Sequence, residues 1–447
     1  TEALQNISLK VDKGKCVVLS GSSGCGKTTI TRLINGLIPG FYPGKLSGTI
    51  KIEGEDIVGR EPHELATQVG SVFQNPRTQF FNTDTDSEIV FGMENCGISY
   101  KEMHHRYEQT VNNLNLKNLC GRDIFALSGG EKQQIAFGSI YALSPEIYVL
   151  DEPSANLDRI ATLRLQNLLL QLKNSGKTLL ISEHRLYYLR DVADQVALIH
   201  EGRLTGLYDM NHLASLPVET LNSMGLRTLQ DIEITTSPTS CPVRIPALEI
   251  RNLSVKRRGK TVLKNINISA DYGDIVGIIG ENGIGKTTLA RTVCGLMKEK
   301  TGNVYFAGQL MNIRMRKQFA FLVMQDPNYQ LFSDSVVGEM ALSASGEIPN
   351  PEDVQRILSF LELMSVQDRH PLSLSGGQKQ RLCIALAALS SAQILFFDEP
   401  TSGLDFENMN RVAKMLRELS EEKTIIVISH DNEFLNLACT RIVSLSR

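Results

Sequence analysis

The chain has 447 residues, of which 42% are hydrophobic and 21% charged, and its formal charge is −3 because 49 acidic residues face 46 lysines and arginines. At roughly 100 to 200 residues per domain, this length predicts two to four domains, and the composition excludes a disordered chain and a polycationic nucleic-acid binder. The eight cysteines form no C-x-x-C pair, which argues against structural zinc, an iron–sulfur cluster or a disulfide framework.

In chain order, the first apolar run with the composition of a strand covers residues 16–19, and two more follow at 147–150 and 178–181. Segments with helical composition, such as 160–172, separate these runs from the next. Strands that alternate with helices in this way predict an α/β fold with a largely parallel sheet.

The chain repeats itself, because the segment around Gly21 recurs around Gly280, 259 residues later. The offset shrinks slowly along the chain, which indicates two copies of one domain with loops of different length. We expect the first domain at 1–230 and the second at 247–447. The segment between them, 231–246, contains three prolines and several hydroxyl residues and is typical of a linker. Residues 247–259 have no counterpart in the first copy, which is therefore expected to lack its opening strand.

Each copy contains one match to G-x-x-x-x-G-K-[ST] between a strand-like and a helix-like run, which is the context of a phosphate-binding P-loop. Its glycines let backbone N–H groups converge on phosphate oxygens at a helix N-terminus. We expect the lysine to reach the β and γ phosphates and the following threonine to hold Mg²⁺. The predicted loop residues are Gly21, Ser22, Ser23, Gly24, Cys25, Gly26, Lys27, Thr28 and Thr29 in the first copy, and Gly280, Glu281, Asn282, Gly283, Ile284, Gly285, Lys286, Thr287 and Thr288 in the second.

A later apolar strand ends in an acidic pair in each copy, Asp151-Glu152 and Asp398-Glu399. An aspartate delivered to the strand end beside a P-loop is the Walker B arrangement, in which the carboxylate serves Mg²⁺. The adjacent glutamate is placed to orient or deprotonate an attacking water.

Two L-S-G-G-[EQ] segments, 127–131 and 374–378, each place their serine 23 residues before the Walker B aspartate and resemble the signature of the ATP-binding cassette (ABC) superfamily. The resemblance covers nearly the whole chain. It implies two P-loop NTPase domains of the α/β class, each with a mixed, largely parallel sheet, an antiparallel β subdomain and a helical subdomain. It also implies that the two cassettes pair head to tail within one chain and hold ATP and Mg²⁺ between the P-loop of one and the signature of the other. The signature residues are Ser128, Gly129, Gly130, Glu131, Ser375, Gly376, Gly377 and Gln378.

Further motifs of the superfamily match this sequence. Gln74 and Gln325 match the Q-loop glutamine, and His184 and His430 match the switch histidine. The implied catalytic residues are Glu152, His184, Glu399 and His430, and the implied metal ligands are Thr28, Gln74, Asp151, Thr287, Gln325 and Asp398. Because both sets are intact, we expect two hydrolysing sites. Two departures are notable: Glu131 replaces the commoner glutamine, and Lys256 or Arg257 stands where the superfamily usually stacks an aromatic residue on adenine.

Three classes of tandem cassette compete for this sequence. Translation factors of the ABC-F type carry a long charged helical arm between their cassettes, which a 16-residue linker does not supply. The ribosome-recycling twin ATPase has a cysteine-rich iron–sulfur region that the sequence lacks. A transporter ATPase is favoured, and it needs separate membrane subunits because no apolar run approaches the roughly 18 residues of a membrane span. An ABC-F-like protein and a conventional ABC importer or exporter remain the alternatives.

A shared Q-[ND]-P-x-x-Q-x-F pattern begins at Gln74 and Gln325. With segments 35–48 and 87–95, it resembles the ATPases of energy-coupling factor (ECF) importers of vitamins or metal ions, particularly those that fuse two cassettes. The resemblance implies an integral membrane coupling protein and a substrate-capture membrane subunit as partners, no nucleic acid, and a peripheral location at the cytoplasmic face of the cell membrane. The transported substrate stays open.

Overall fold

The computed structural model describes residues 3–155, 157–235, 245–257, 259–343 and 350–446. The chain divides into two compact units, Thr1–Asp231 and Ile232–Arg447. Most of the expected linker, residues 236–244, lies outside the described part of the chain, so its extent stays a prediction. Among the described residues, no helix is both long enough and apolar enough to span a membrane.

The first unit is built on a sheet in which β8 runs antiparallel to β7 and the other strands are parallel; among its described residues the strand order is β4-β5-β6-β1-β7-β8. Its strands are β1 Cys16–Gly21, β2 Lys51–Ile52, β3 Glu55–Asp56, β4 Val69–Val72, β5 Ile147–Asp151, β6 Thr178–Ser182, β7 Gln195–His200 and β8 Arg203–Asp209. Its α-helices are α1 Lys27–Ile34, α2 Leu37–Gly40, α3 Pro62–Leu65, α4 Thr85–Asn95, α5 Tyr100–Asn113, α6 Gly129–Leu143, α7 Arg159–Asn174, α8 Met210–Ser215 and α9 Val218–Ser223.

The second unit repeats this plan with a parallel sheet ordered β14-β15-β16-β11-β17 in its described residues, and it adds an antiparallel sheet ordered β10-β9-β12-β13. Its strands are β9 Leu248–Arg257, β10 Lys260–Ala270, β11 Ile275–Ile279, β12 Thr301–Phe306, β13 Gln309–Leu310, β14 Ala320–Val323, β15 Ile394–Asp398, β16 Thr424–Ile428 and β17 Arg441–Ser444. Its α-helices are α10 Lys286–Val293, α11 Ile313–Phe319, α12 Val336–Ser343, α13 Pro351–Phe360, α14 Gly376–Leu389, α15 Phe406–Ser420 and α16 Asn432–Ala438.

The central strands are apolar on both faces because both faces of each sheet are covered. In β5, Leu150 packs into one buried cluster and Val149 into another on the opposite face. In β15, Phe397 and Phe396 divide in the same way between two clusters. Such strands have a continuous apolar sequence instead of an alternating one, which is why their positions were predictable.

The order of the parallel strands brings the sequence motifs to one edge of each sheet. β6 lies between β1 and β5, and β16 lies between β11 and β15. The P-loop follows β1, the acidic pair begins at the end of β5, and the switch histidine lies two residues after β6. The second unit has the same order around β11, β15 and β16. Since carboxyl ends of parallel strands meet at one edge, these motifs converge without any long-range distortion of the chain.

The antiparallel subdomains of the two units differ. β9 is bonded on one side to β10 and on the other to β12, so it is central to the second unit's antiparallel sheet. The sequence predicted that the first copy has no counterpart of this strand. Accordingly, residues 4–11, which align with part of β10, form no strand, and the antiparallel pairing described in that subdomain is the short β2-β3 hairpin.

The first residues of the second unit, which the sequence places in the linker, are bonded to α16. The Asn432 side chain donates to the Ile232 carbonyl (2.8 Å), and the Asn436 side chain donates to the Glu233 carbonyl (2.8 Å) and accepts from the Thr235 amide (3.1 Å). The start of the predicted linker is thus held along α16.

A buried arginine fixes α11 in the second unit. Arg316 donates through Nη1 to the Thr292 carbonyl (3.0 Å) and through Nη2 to both carboxylate oxygens of Glu299 (2.9 and 2.8 Å). Its side chain is almost fully buried, whereas Glu299 is partly exposed.

We expect Arg316→Met to lower the free energy of unfolding of the second unit by about 3 kcal/mol, because it leaves the Glu299 carboxylate and the Thr292 carbonyl without their donor. Urea unfolding of the full chain measures this loss. The control is Arg251→Met, since Arg251 forms an exposed pair with Glu249 and should cost less than about 1 kcal/mol. If the two variants lost equal free energy of unfolding, Arg316 would not have the stabilising role described here.

Candidate functional site

Both P-loops adopt a backbone that only glycine accommodates at their first position. Gly21 has φ 145°, and a Cβ atom there would lie 1.9 Å from the Ile199 carbonyl oxygen. Gly280 has φ 149°, and its Cβ would lie 2.8 Å from the Leu445 carbonyl oxygen. The loop therefore lies directly against the neighbouring strand or chain segment, and any side chain would force it outward.

Each P-loop lysine lies inside its own loop. Lys27 Nζ donates to the carbonyls of Gly21 (2.9 Å) and Ser22 (3.0 Å), and it lies 3.7 Å from the buried Cys25 thiol. Lys286 Nζ donates to the carbonyls of Gly280 (2.6 Å) and Glu281 (3.1 Å) in the second unit. The ammonium groups are thus positioned beside the start of α1 and α10, where backbone N–H groups also favour an anion.

The acidic pair leaves its strand through an unusual backbone conformation. Glu152 has φ 46° and Glu399 has φ 52°, both in the left-handed region, although each directly continues a strand. Their amides still donate to the neighbouring strand, to the Ser182 and Ile428 carbonyls, at 2.8 Å in each unit. The left-handed turn directs the glutamate away from the line of the strand, and strain of this kind is typical of functional positions.

The aspartates of the two pairs are buried beside the P-loop threonines. Thr287 Oγ1 donates to Asp398 Oδ2 (2.6 Å), and Thr28 is hydrogen-bonded to Asp151. Burial raises the pKa of both aspartates, while these threonine bonds and the nearby P-loop lysines lower it. Asp151 Oδ1 is buried and has no hydrogen-bond partner among the described residues. An anionic oxygen available next to a threonine hydroxyl is a donor set that fits Mg²⁺.

The Q-loop glutamine, the glutamate and the switch histidine form one cluster in the first unit. Gln74 Nε2 donates to Glu152 Oε2 (2.6 Å), and His184 Nε2 lies 3.6 Å from Glu152 Oε1. These residues follow three different strands, and the structure brings them into contact. A water between this cluster and the P-loop would meet the glutamate and the histidine at once.

The second unit gathers the same residue types with different contacts. His430 Nε2 lies 2.9 Å from Lys286 Nζ, 3.0 Å from Asn282 Oδ1 and 3.8 Å from Glu399 Oε1. Gln325 follows β14, the strand beside β15, and so lies at the same edge of the sheet.

The surroundings of the Glu152 carboxyl favour its protonated form. Burial raises its pKa to about 8, and the carboxylates of Asp151 and Glu183 add to this shift. Lys27 and the hydrogen bond from Gln74 act in the opposite direction. A carboxylate with such a raised pKa is a better proton acceptor than an exposed one once it is ionised.

The signature segments are helix N-termini closed by a capping box. Ser128 caps α6, and its amide donates to Glu131 Oε2 (2.7 Å), while the Glu131 amide donates back to Ser128 Oγ (3.4 Å). Ser375 and Gln378 cap α14 with the same reciprocal pair, at 3.0 and 3.3 Å. The fourth signature residue thus has a structural role in holding the serine.

The negative charge that Glu131 introduces in place of the commoner glutamine is paired with an arginine of the same unit. Arg122 Nη1 donates to Glu131 Oε1 (2.9 Å). Burial of Glu131 opposes ionisation, but the bonds from Ser128 and the Arg122 guanidinium together lower its pKa. The carboxylate is therefore ionised and paired. Whether each signature serves the other unit's P-loop stays a prediction.

Several functional positions were not identified from the sequence. Glu88 in α4 and Glu339 in α12 are buried and accept backbone amides of the loops after the Q-loops. Their separation of 251 residues equals that of Gln74 and Gln325, so the repeat offset was the available signal. Glu183, next to the switch histidine, is a third such carboxylate. Lys256 and Arg257 lie exposed at the end of β9.

Comparisons with known proteins agree with these motifs. The family model described as "ABC transporter" matches residues 4–155 and 263–402. A Treponema denticola protein named as an ABC transporter ATP-binding protein is 46% identical over 99% of this chain and 92% of its own. A Bacillus subtilis protein named for HMP/thiamine import, the ATP-binding protein YkoD, is 30% identical over 97% of this chain and 84% of its own. Among solved structures, archaeal ABCE1 in a ribosome-bound model with Pelota superposes with a TM-score of 0.73 at 23% identity, covering 97% of this chain and 73% of that one, and this likeness shows the fold alone.

We expect Glu152→Gln to stabilise the protein at alkaline pH in buffer free of nucleotide and magnesium. The folded state retains a proton up to about pH 8, which the unfolded state releases near its ordinary value of 4.5. Wild-type stability therefore falls as pH rises through that window, by up to about 1.4 kcal/mol per pH unit, whereas glutamine stays neutral.

Thermal unfolding near pH 5 and near pH 9 measures this effect, and the difference in Tm between variant and wild type should widen by several degrees at the higher pH. The exposed substitution Glu219→Gln is the control and should show no such widening. A difference in Tm that stays constant with pH would contradict the raised pKa.

Proposed function

The chain belongs to the ABC transporter family, and from that premise we propose that it is the ATP-hydrolysing, energy-coupling subunit of an ECF-type importer for a vitamin or a metal ion. The observation that carries the importer assignment is a loop after each Q-loop glutamine that presents an aromatic side chain outward. Phe81 is 75% exposed and Phe332 is 81% exposed, at equivalent positions of the two units.

The Q-[ND]-P-x-x-Q-x-F pattern supports this proposal because its second glutamine shapes the loop. Gln79 Oε1 accepts from the Phe73 amide (3.2 Å) and its Nε2 donates to the Ser71 carbonyl (2.9 Å). The buried Glu88 carboxylate then accepts from the Phe81 amide (3.1 Å). These hydrogen bonds hold the loop backbone before Phe81 and at Phe81 itself. The backbone contacts therefore keep the Phe81 side chain exposed.

The second unit builds the same loop. Gln330 Oε1 accepts from the Met324 amide and its Nε2 donates to the Leu322 carbonyl, both at 2.6 Å, and Glu339 accepts from the Phe332 amide. A partner that covers an exposed phenylalanine removes apolar surface from water, which favours binding. Two such residues on equivalent, rigid loops suit two short apolar helix surfaces of an integral membrane coupling protein.

In this proposal ATP is bound at two composite sites, each with the P-loop of one unit and the signature of the other. Mg²⁺ would be held by Thr28, Gln74 and Asp151 in the first site and by the equivalent Thr287, Gln325 and Asp398 in the second. When bound, the ion neutralises charge on the phosphate oxygens.

Hydrolysis in the first site would follow from the cluster around Glu152. The glutamate orients a water and takes its proton, Gln74 fixes the glutamate through their 2.6 Å bond, and His184 contacts the γ-phosphate. Glu399 and His430 have the same roles in the second site. Because ATP favours the closed arrangement of the two units and hydrolysis releases it, the cycle would move the attached membrane subunits between two states.

The proposed location is peripheral, at the cytoplasmic face of the cell membrane, with the coupling protein and a substrate-capture membrane subunit as partners. The relative named for HMP/thiamine import supports an importer with a vitamin-related cargo. The solved structures named for a ribosome-bound complex and for a ribosome recycling factor are too distant in sequence, at 23% identity, to support a ribosomal function.

We expect Glu152→Gln and Glu399→Gln each to lower steady-state ATP turnover by about twofold or more, and the double variant by about 100-fold or more, because each substitution removes the proton acceptor of one of the two sites. ATPase assays of the purified full chain test this, with Glu219→Gln as a matched exposed control. If either glutamine variant kept the wild-type turnover, the proposal of two hydrolysing sites would be wrong.

We expect the tagged chain, isolated from detergent-solubilised membranes of its native host, to retain polytopic membrane proteins. The double variant Phe81→Ser/Phe332→Ser should lose most of them while keeping its basal ATP turnover. Tyr272→Ser is the control, since Tyr272 is 65% exposed and precedes β11 at the opposite edge of the sheet. Recovery of ribosomal proteins in place of membrane proteins, or membrane proteins retained equally by all variants, would overturn the importer assignment.

A further inference from the structure

A buried carboxylate next to the first switch histidine joins two segments of the first site. Glu183 Oε2 accepts from the amide and the hydroxyl of Ser154 (3.3 and 2.9 Å) and from the Tyr188 hydroxyl (2.9 Å). Its Oε1 accepts from the amides of His184 (2.8 Å) and Arg185 (3.2 Å). Five donors thus converge on one side chain that is 2% exposed.

These contacts connect the loop after β5 to the loop after β6. Ser154 lies two residues beyond Glu152, and His184 directly follows Glu183. Because the carboxylate binds both loops, the distance between Glu152 and His184 is set through it. No motif used in the sequence analysis includes this residue.

The second unit makes the connection differently. Ser429 stands at the position of Glu183, and the carboxylate lies on the other side of the histidine, at Asp431. Thr401, the counterpart of Ser154, donates to Asp431 Oδ2 (3.2 Å), and the Phe434 amide donates to Asp431 Oδ1 (3.2 Å). The same two loops are therefore tied by a carboxylate in both units, but from opposite sides of the switch histidine.

We propose that Glu183 is a positioning residue of the first ATP site, which holds His184 and Glu152 in register by tying the loops that carry them. This proposal rests on the proposed hydrolytic function of that site. The buried hydrogen bonds carry the argument, because a side chain bonded to both loops fixes their spacing more tightly than packing alone.

The two units have different residues on either side of the switch histidine, and substituting one set for the other tests the proposal. Glu183→Ser gives the first unit the residue of the second and removes the carboxylate that accepts the five hydrogen bonds. The double variant Glu183→Ser/Arg185→Asp adds a carboxylate at the position of Asp431, where it can meet Ser154. These variants are made in a Glu399→Gln chain, so that only the first site turns over. In that background we expect Glu183→Ser to lower kcat for ATP by about tenfold with KM changed less than about threefold, and the double variant to regain most of the lost kcat.

Thermal unfolding and a fluorescent-nucleotide binding assay accompany the kinetics, with Glu219→Gln as the control. Glu183→Gln is the second variant, since it keeps the size of the side chain but accepts hydrogen bonds at only one end. It should show an intermediate loss of kcat. A purely structural role predicts a kcat that falls only with the folded fraction and is not regained in the double variant, and this result would overturn the proposal.

Unchanged kcat in Glu183→Ser, alongside loss of turnover in Glu152→Gln, would also overturn the positioning role and leave the hydrolytic function standing. Failure of the proposed function itself is distinguishable, because the wild-type chain would then hydrolyse no ATP.

Discussion

Two adjacent carboxyl groups are buried at the end of one central strand in each unit, and the surroundings of both sites are arranged to make this possible. Burying an ionisable acid is unfavourable unless hydrogen bonds or opposite charges compensate it. The P-loop lysine and threonine provide part of that compensation for the aspartate in each unit, and Lys27 and the Gln74 amide do so for Glu152. The position of the P-loop, pressed against a neighbouring chain segment at Gly21 and Gly280, keeps the lysine close to the acids.

Because the chain contains the same domain twice, comparison of its units separates what the site requires from what it tolerates. The left-handed glutamates, the capping boxes and the glutamine-pinned loops occur in both units with nearly the same bonds. The contacts of the switch histidine and the carboxylate beside it differ. The conserved chemistry thus lies in the backbone geometry at the strand ends, while the side chains that stabilise that geometry are exchangeable.

The sequence predicted the strands that carry the motifs and their meeting at one edge of the sheet, because each motif lies at the end of an apolar strand and parallel strands bring their carboxyl ends together. The catalytic and binding roles of the motif residues stay predictions. The roles of Glu88, Glu339 and Glu183 could not be predicted from the sequence. Their roles depend on hydrogen bonds to backbone amides elsewhere in the fold, and backbone amides have no sequence signal. The attachment of residues 232–235 to α16 was equally hidden, since its donors lie about 200 residues away. Asn156, in the segment after the first acidic pair, lies outside the described residues.

The capping box at the signature determines which mutations that motif can survive. A side chain at its fourth position must reach back over one helical turn to the serine amide, which requires two methylene groups and a terminal oxygen. Glutamate and glutamine both satisfy this requirement, and their codons differ by a single base. The motif can therefore pass between the two residues in one mutational step, with Arg122 available to balance the charge, whereas aspartate and asparagine are too short. The length of the side chain therefore limits the substitutions that preserve the capping box to this one pair of residues.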